Sequence, residues 1–191
     1  MRSGILFKPA GIMEIYLIRH TTPKIDTSIC YGQSDIPLSD SYPCESEKLI
    51  GILPENIDAV YSSPLLRCRT LAEKIISSVK QKPFYKTDKR LMEMNFGKWE
   101  MKRWNDIDQN ELIIWMDNFV TERIPEGESF IDLSERVNRF INELITTNYK
   151  TVVIITHAGV IRCFFARLND LLLKDTFNIP VGYASVNLIN S

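Results

Sequence analysis

The stretch IYLIRHTTP, residues 15–23, decides the fold: bulky strand-forming residues run to a sudden stop, where Arg19 and His20 stand side by side. The chain has two histidines, and the second stands in VVIITHAGVIR, residues 152–162, where another apolar run ends at His157. In open α/β sheets ligands bind beyond the carboxyl ends of the strands, so a residue just past such a run is where chemistry is expected. Both imidazoles occupy that kind of position, and each has an arginine close by in sequence.

Composition narrows the possibilities. With 191 residues, of which 45% are hydrophobic and 10% aromatic, the chain has enough apolar material for one sizeable core and reads as a single domain over 1–191. The formal net charge of −1 gives no reason to expect a nucleic-acid or membrane-surface partner, so anion binding must be local. Cys30, Cys44, Cys68 and Cys163 are scattered without a C-x-x-C pair or a neighbouring histidine, which argues against a zinc site and fits free thiols in a reducing, cytoplasmic setting. No apolar run approaches the roughly 20 residues of a membrane span. Residues 1–13 read as a tail before the first strand, too short in apolar core for a signal peptide, with Met13 as an alternative start.

Further strands are expected at 57–62, 151–156 and 185–190, with a weaker one near 84–87. Helical patterns separate them. Ser63-Pro64 reads as an N-cap followed by a first-turn proline, opening a helix with Leu65, Leu66, Leu71, Ile75, Ile76 and Val79 on its apolar side. A second helix is expected over about 130–146, and one or two shorter ones in WNDIDQNELIIWMDNF, residues 104–119, with Trp104, Leu112, Ile113, Trp115 and Phe119 inward. Strands alternating with helices imply a three-layer α/β/α sandwich with a mostly parallel central sheet. Residues 21–43 form the long irregular stretch, of a length that usually carries function.

Arg19 ends an apolar strand, where a guanidinium needs a carboxylate or an anionic ligand nearby. Arg67 stands one turn into the helix after the 57–62 strand and reaches the same sheet edge. Two arginines and two imidazoles converging there make a pocket for a phosphate dianion, because guanidinium N–H pairs match phosphate oxygens. Helix N-termini after Ser63 and after His157 would add backbone donors. Neither a P-loop nor a G-x-S-x-G nucleophile occurs, and a neutral imidazole is a competent nucleophile toward phosphorus, which makes His20 a candidate to carry a phosphoryl group. A carboxyl group must then protonate the leaving alkoxide. Glu93, in RLMEMNFGKWE, is the favoured candidate, and spacing alone leaves Glu100, Glu126 and Glu128 open.

These residues carry a family resemblance. LIRHTTP is similar to the R-H-G signature of the histidine phosphatase superfamily, whose fold is phosphoglycerate mutase-like. VYSSPLLRCRTLAEKI resembles its second-arginine helix, LMEMNFGKWE its L-x-E-x-x-F-G-x-W-E-G segment, PEGESFIDLSERV its G-E-S helix start, and IITHAGVIR its second histidine motif. The resemblance implies that His20 is the phosphorylated nucleophile and Glu93 the proton donor, while Arg19, Arg67 and a protonated His157 complete the phosphate pocket without a metal or other cofactor. Thr21 and Met101 replace glycines of the pattern, SDSYPCESEKLI lacks the usual helix start, and Asp26 falls near a phosphate-contacting asparagine of many members and is left out of the site.

CYGQSDIPL, residues 30–38, together with the R-H-T form of the first motif, resembles the α-ribazole phosphatase branch. That implies a small-molecule phosphomonoester, α-ribazole 5′-phosphate of cobalamin assembly, as substrate, with Tyr31 and Gln33 on the leaving-group side. A broad-range small-molecule phosphatase or a phosphoglycerate mutase-like enzyme is the alternative, for which Lys98, Lys102 and Arg103 offer cations for a second anion. A non-catalytic phosphate-binding module is disfavoured, since His20, Glu93 and His157 are all present. Oligomeric state is not legible from the sequence.

Overall fold

The computed structural model describes residues 12–191. Five strands, β1 (Glu14–Arg19), β2 (Ala59–Ser62), β3 (Phe84–Thr87), β4 (Thr151–Thr156) and β5 (Val186–Asn190), form one sheet in the order β3-β2-β4-β1-β5. The first four are mutually parallel where they pair, and β5 closes the β1 edge antiparallel. Register places Arg19 opposite Thr156, so His20 and His157 leave the sheet side by side.

The period-2 geometry of strands divides the core in two. Ile15, Leu17, Ala59, Val152 and Ile154 face one layer, packed with α4 (Phe130–Leu144) and α5 (Ala158–Leu168). Ile18, Val60, Val153 and Ile155 face the other, packed with Leu49 of α1 (Tyr42–Ile50) and Cys68, Leu71, Ala72 and Ile75 of α2 (Leu66–Ser78). β4 is central, which is why its apolar run is nearly unbroken. The three-layer α/β/α architecture therefore follows directly from the alternation within each strand.

Local chemistry sets the helix boundaries. Ser129 and Asp132 form a reciprocal capping box at the start of α4, and α4 ends within two residues of the expected limit. α2 differs from expectation. It opens at Leu66 rather than at Pro64, and Ser63 is not its cap. The backbone N–H of Ser63 still bonds to Ile155, continuing the sheet, and the first helical N–H, that of Leu66, donates to Asp35 Oδ1 at 2.7 Å from a distant loop. α1 falls where the expected irregular stretch ends, with Pro43 in its first turn.

The 104–119 segment is a short 3-10 turn (Trp104–Asp106) followed by α3 (Gln109–Asn118). Leu112, Trp115 and Phe119 make its inward stripe, while Ile113 is 56% exposed, contrary to expectation, because it falls one position off that i, i+3, i+7 line. Of the expected N-terminal tail, residues 1–11 lie outside the described region. Met13 is buried in the core and exchanges two backbone hydrogen bonds with Ser191, so it belongs to the fold. Among the described residues no helix is long and apolar enough to cross a membrane.

Candidate active site

Parallel β1, β2 and β4 present their carboxyl ends at one edge, and a cavity of about 260 Å³ opens there. Arg19, His20, Tyr31, Arg67, Glu93 and His157 all line it, brought together from five separate segments. Gln33 does not line it. Its side-chain amide donates to the carbonyl of Glu93 at 2.9 Å and its backbone N–H to Glu100, so it ties two loops beside the cavity together. Asp26, left out of the site on sequence grounds, accepts from the backbone of Ser28 and faces Arg103.

His20 is 2% exposed, and its ring centroid is 5.0 Å from that of His157 in an edge-on arrangement. Burial, then the positive charge of Arg67, holds His20 well below its ordinary pKa of 6.5. It is a neutral imidazole. His157 is driven the same way, by burial first and then by Arg67, His20, Arg136 and Arg19. Burial and these positive neighbours oppose the protonated state that the resemblance implies for His157. Its Nε2 is 2.9 Å from Ser63 Oγ, and Cys68 Sγ lies 3.5 Å away. A hydroxyl donating to Nε2 leaves the proton on Nδ1, which has no partner.

Arg67 is fully buried on α2, and its two terminal nitrogens donate to the carbonyls of Gly32 (2.6 Å) and Ser34 (2.8 Å). Arg19 donates from Nη1 to Val181 at 2.6 Å. Neither forms an ion pair among the described residues, and both leave Nε unsatisfied. A buried N–H without a partner costs on the order of 1–3 kcal/mol, more for a charged group, and a bound oxyanion would offset that cost.

Glu93 is placed from two directions. Arg136 of α4 clamps its loop by donating to the carbonyls of Arg90, Met92 and Glu93 while paired with Glu128 at 2.8 Å. The Glu93 carboxylate accepts from the N–H of Met94 (3.0 Å) and from Gly159 (3.2 Å) in the first turn of α5. A Cβ at position 159 would stand 2.4 Å from Glu93 Oε1, so only glycine admits this approach. The expected backbone donors at the two helix N-termini are therefore already engaged in part, by Asp35 at α2 and by Glu93 at α5.

Beyond the phosphate-sized corner the wall is apolar: Phe96, Trp104, Trp115, Phe130, Leu133 and Phe177. Arg162 and Tyr183 are among the lining residues that the sequence reading does not single out. Arg162, three residues after Gly159 and on the same face of α5, lies over the Phe177 ring at 4.9 Å; burial lowers its pKa, and its Nε has no partner. The i, i+3 spacing was a usable signal. Tyr183, in the loop before β5, offered none. Lys98 and Arg103, considered as cations for a second anion, pair instead with Glu126 and Asp26, and neither they nor Lys102 line the cavity.

Comparison with known proteins agrees with this geometry. Residues 15–191 match the model of the histidine phosphatase superfamily (branch 1), and the chain belongs to that family. It is similar to the adenosylcobalamin/alpha-ribazole phosphatase of Escherichia coli K12, 30% identical over 82% of this chain and 79% of the relative. It is also similar to the "Putative phosphoserine phosphatase 2" of Hydrogenobacter thermophilus, 26% identical over 93% of this chain and 89% of the relative. The solved alpha-ribazole phosphatase of Shigella flexneri superposes with a TM-score of 0.82 at 27% identity, over 92% of this chain and 89% of that one. The protein is a phosphatase of this superfamily, acting on a phosphate ester.

Proposed function

We propose that the protein is a metal-independent phosphomonoesterase working through a phosphohistidine on His20, and that its substrate is α-ribazole 5′-phosphate. The observation that carries the mechanism is the set of unsatisfied donors, Arg19 Nε, Arg67 Nε and His157 Nδ1, on residues lining one cavity with a neutral imidazole among them. Three donors and a nucleophile with no carboxylate paired to the arginines describe a receptor for an oxyanion.

In the first step the Nε2 lone pair of His20 attacks phosphorus, the ester P–O bond breaks, and the departing alkoxide takes a proton from Glu93. In the second, the Glu93 carboxylate takes a proton from water, the water oxygen attacks phosphorus, and the P–N bond breaks with its electron pair returning to Nε2. Inorganic phosphate leaves. The charge stabilisation supplied by a metal in other phosphoryl-transfer sites falls here to the two guanidiniums and to the Nδ1–H of His157.

Substrate choice rests on what lies beyond the phosphate corner. A benzimidazole riboside offers a flat apolar face and sugar hydroxyls, which suits the wall of Phe96, Trp104 and Trp115 with Arg162 and Tyr31 as its polar groups. The likeness to alpha-ribazole phosphatases supports this assignment, and a cytoplasmic, single-domain enzyme accords with it. Arg162 also favours a second reading, a phosphatase for small carboxylate-bearing phosphomonoesters, because its guanidinium faces the cavity without a carboxylate partner. The test is kcat/KM for α-ribazole 5′-phosphate against phosphoserine, 3-phosphoglycerate and simple sugar phosphates. A preference below about tenfold, roughly 1.4 kcal/mol of differential transition-state binding, removes the ribazole assignment and leaves the broader one.

A further inference from the structure

The two guanidiniums of the phosphate corner are held in an unusual way. The ring of Tyr183 lies over Arg19, 3.8 Å from its guanidinium carbon, and the ring of Tyr31 lies 5.4 Å from that of Arg67. The two tyrosine hydroxyls meet at 2.6 Å. Each arginine thus has one aromatic ring over its face, and one hydrogen bond joins the rings across the corner.

Tyr183 belongs to a turn that is itself fastened to the end of β1. Val181 accepts the Nη1 bond from Arg19, the N–H of Ala184 donates to the carbonyl of His20 at 3.1 Å, and that of Arg19 donates to Ser185 at 3.1 Å. Ala184 sits at a φ of 53°, in the left-handed region that costs a non-glycine residue on the order of 1 kcal/mol. The Tyr183 ring centroid is also 5.5 Å from that of His20.

A carboxylate would hold Arg19 firmly but would neutralise it. An aromatic face restrains the guanidinium plane while leaving its full charge and its in-plane N–H edge free for an anion. We propose that Tyr183 is a positioning residue for the oxyanion-binding guanidinium of Arg19, its ring face setting the plane of that guanidinium before the substrate phosphate enters. The proposal rests on the phosphate-site reading of this corner.

Tungstate, a phosphate mimic, serves as the probe, with its inhibition constant measured against hydrolysis of p-nitrophenyl phosphate. Tyr183→Leu should weaken tungstate inhibition and raise KM by the same factor, about tenfold. Tyr183→Phe keeps the ring and should stay within about threefold of the wild type. Pentafluorophenylalanine at position 183 keeps the shape and reverses the charge of the ring face, so it should resemble Leu rather than Phe. This comparison stands even if the Leu variant does not fold. Equal tungstate affinity for the phenylalanine and pentafluorophenylalanine proteins overturns the proposal, as does a Phe variant damaged as badly as Leu. A wild-type protein that hydrolyses phosphomonoesters without being inhibited by tungstate would instead remove the phosphate-site reading on which the proposal stands.

Discussion

The Nδ1 atom of His20 stands 2.7 Å from the carbonyl oxygen of Thr21. A carbonyl only accepts, so in the neutral ring Nδ1 carries the proton and Nε2 keeps its lone pair. One backbone contact with the adjoining residue thereby sets the tautomer that nucleophilic attack requires. It also places the acceptor where a side chain at position 21 does not interfere, since the Thr21 hydroxyl takes no part in the bond.

His20→Ala should therefore abolish turnover. Rapid quenching into alkali with a labelled phosphomonoester should trap an acid-labile, alkali-stable phosphoryl group on the wild-type protein and none on the variant. Label persisting on the Ala protein would assign the nucleophile elsewhere.

Burial of two neutral imidazoles makes stability depend on pH. Both folded pKa values are depressed, so as pH falls through 6.5 the unfolded chain takes up two protons that the folded chain refuses. Stability is fully present above that value and declines below it. Between pH 6.5 and 5.5 the loss should be on the order of 1 kcal/mol per histidine, or about 2–4 °C in melting temperature for each. His157→Gln should flatten the decline over that interval. A melting temperature unchanged between those two pH values would contradict the neutral, buried assignment.

Gly159→Ala tests the placement of Glu93 without touching its chemistry. The added Cβ lands 2.4 Å from Glu93 Oε1 and must displace the carboxylate from the start of α5. Turnover of alkyl phosphates, whose leaving group needs a proton, should fall by about 10²-fold, within the range that general acid catalysis supplies. Phosphorylation by p-nitrophenyl phosphate, whose leaving group is a weak base, should fall much less. Equal losses would show that the substitution acts through the phosphate corner rather than through the acid.

Exhaustive dialysis against EDTA should leave activity unchanged, because the proposed mechanism draws the positive charge at the phosphate from Arg19 and Arg67, which both line the cavity. Activity lost on chelation and restored only by a divalent cation would overturn the metal-free mechanism.

What could be read in advance follows a physical division. β4 has the expected limits, and the run that opens at Ile15 stops at Arg19 as β1 does, because a strand buried on one or both faces writes its period into a handful of adjacent residues. His20 and His157 were legible for the same reason, being the residues at which two such runs stop. α1 was not, since in YPCESEKLI only Ser46 and Leu49 are buried and the apolar signal is too thin. Ser63 was misread as a cap because the group that takes that role, Asp35, lies 31 positions away and no local pattern announces it. Tyr183 is still more remote, its partners Arg19 and Tyr31 standing at the other end of the chain.

Glu100 shows how geometry separates carboxylates that spacing could not. Its two oxygens accept from the backbone N–H groups of Gln33 (2.7 Å), Ser34 (2.7 Å) and Phe96 (3.3 Å) and from the Ser34 hydroxyl, so it has no capacity left for a leaving group. Those bonds fix the turn whose Gly32 and Ser34 carbonyls hold Arg67. The turn is crowded, for a Cβ at Gly32 would meet the Met94 carbonyl at 2.1 Å and Glu100 Oε1 at 2.9 Å. Glu100→Ala leaves three buried or half-buried N–H groups without an acceptor and frees the arginine, so it should destabilise the protein by a few kcal/mol and weaken tungstate inhibition by at least tenfold. Glu100→Gln keeps one carbonyl acceptor and should lie between. Because Glu100 acts on the phosphate corner and not on the proton, alkyl phosphates and p-nitrophenyl phosphate should lose activity in equal proportion, the opposite of the selective loss expected for Gly159→Ala. A Glu100 variant that spared p-nitrophenyl phosphate would make Glu100, rather than Glu93, the acid.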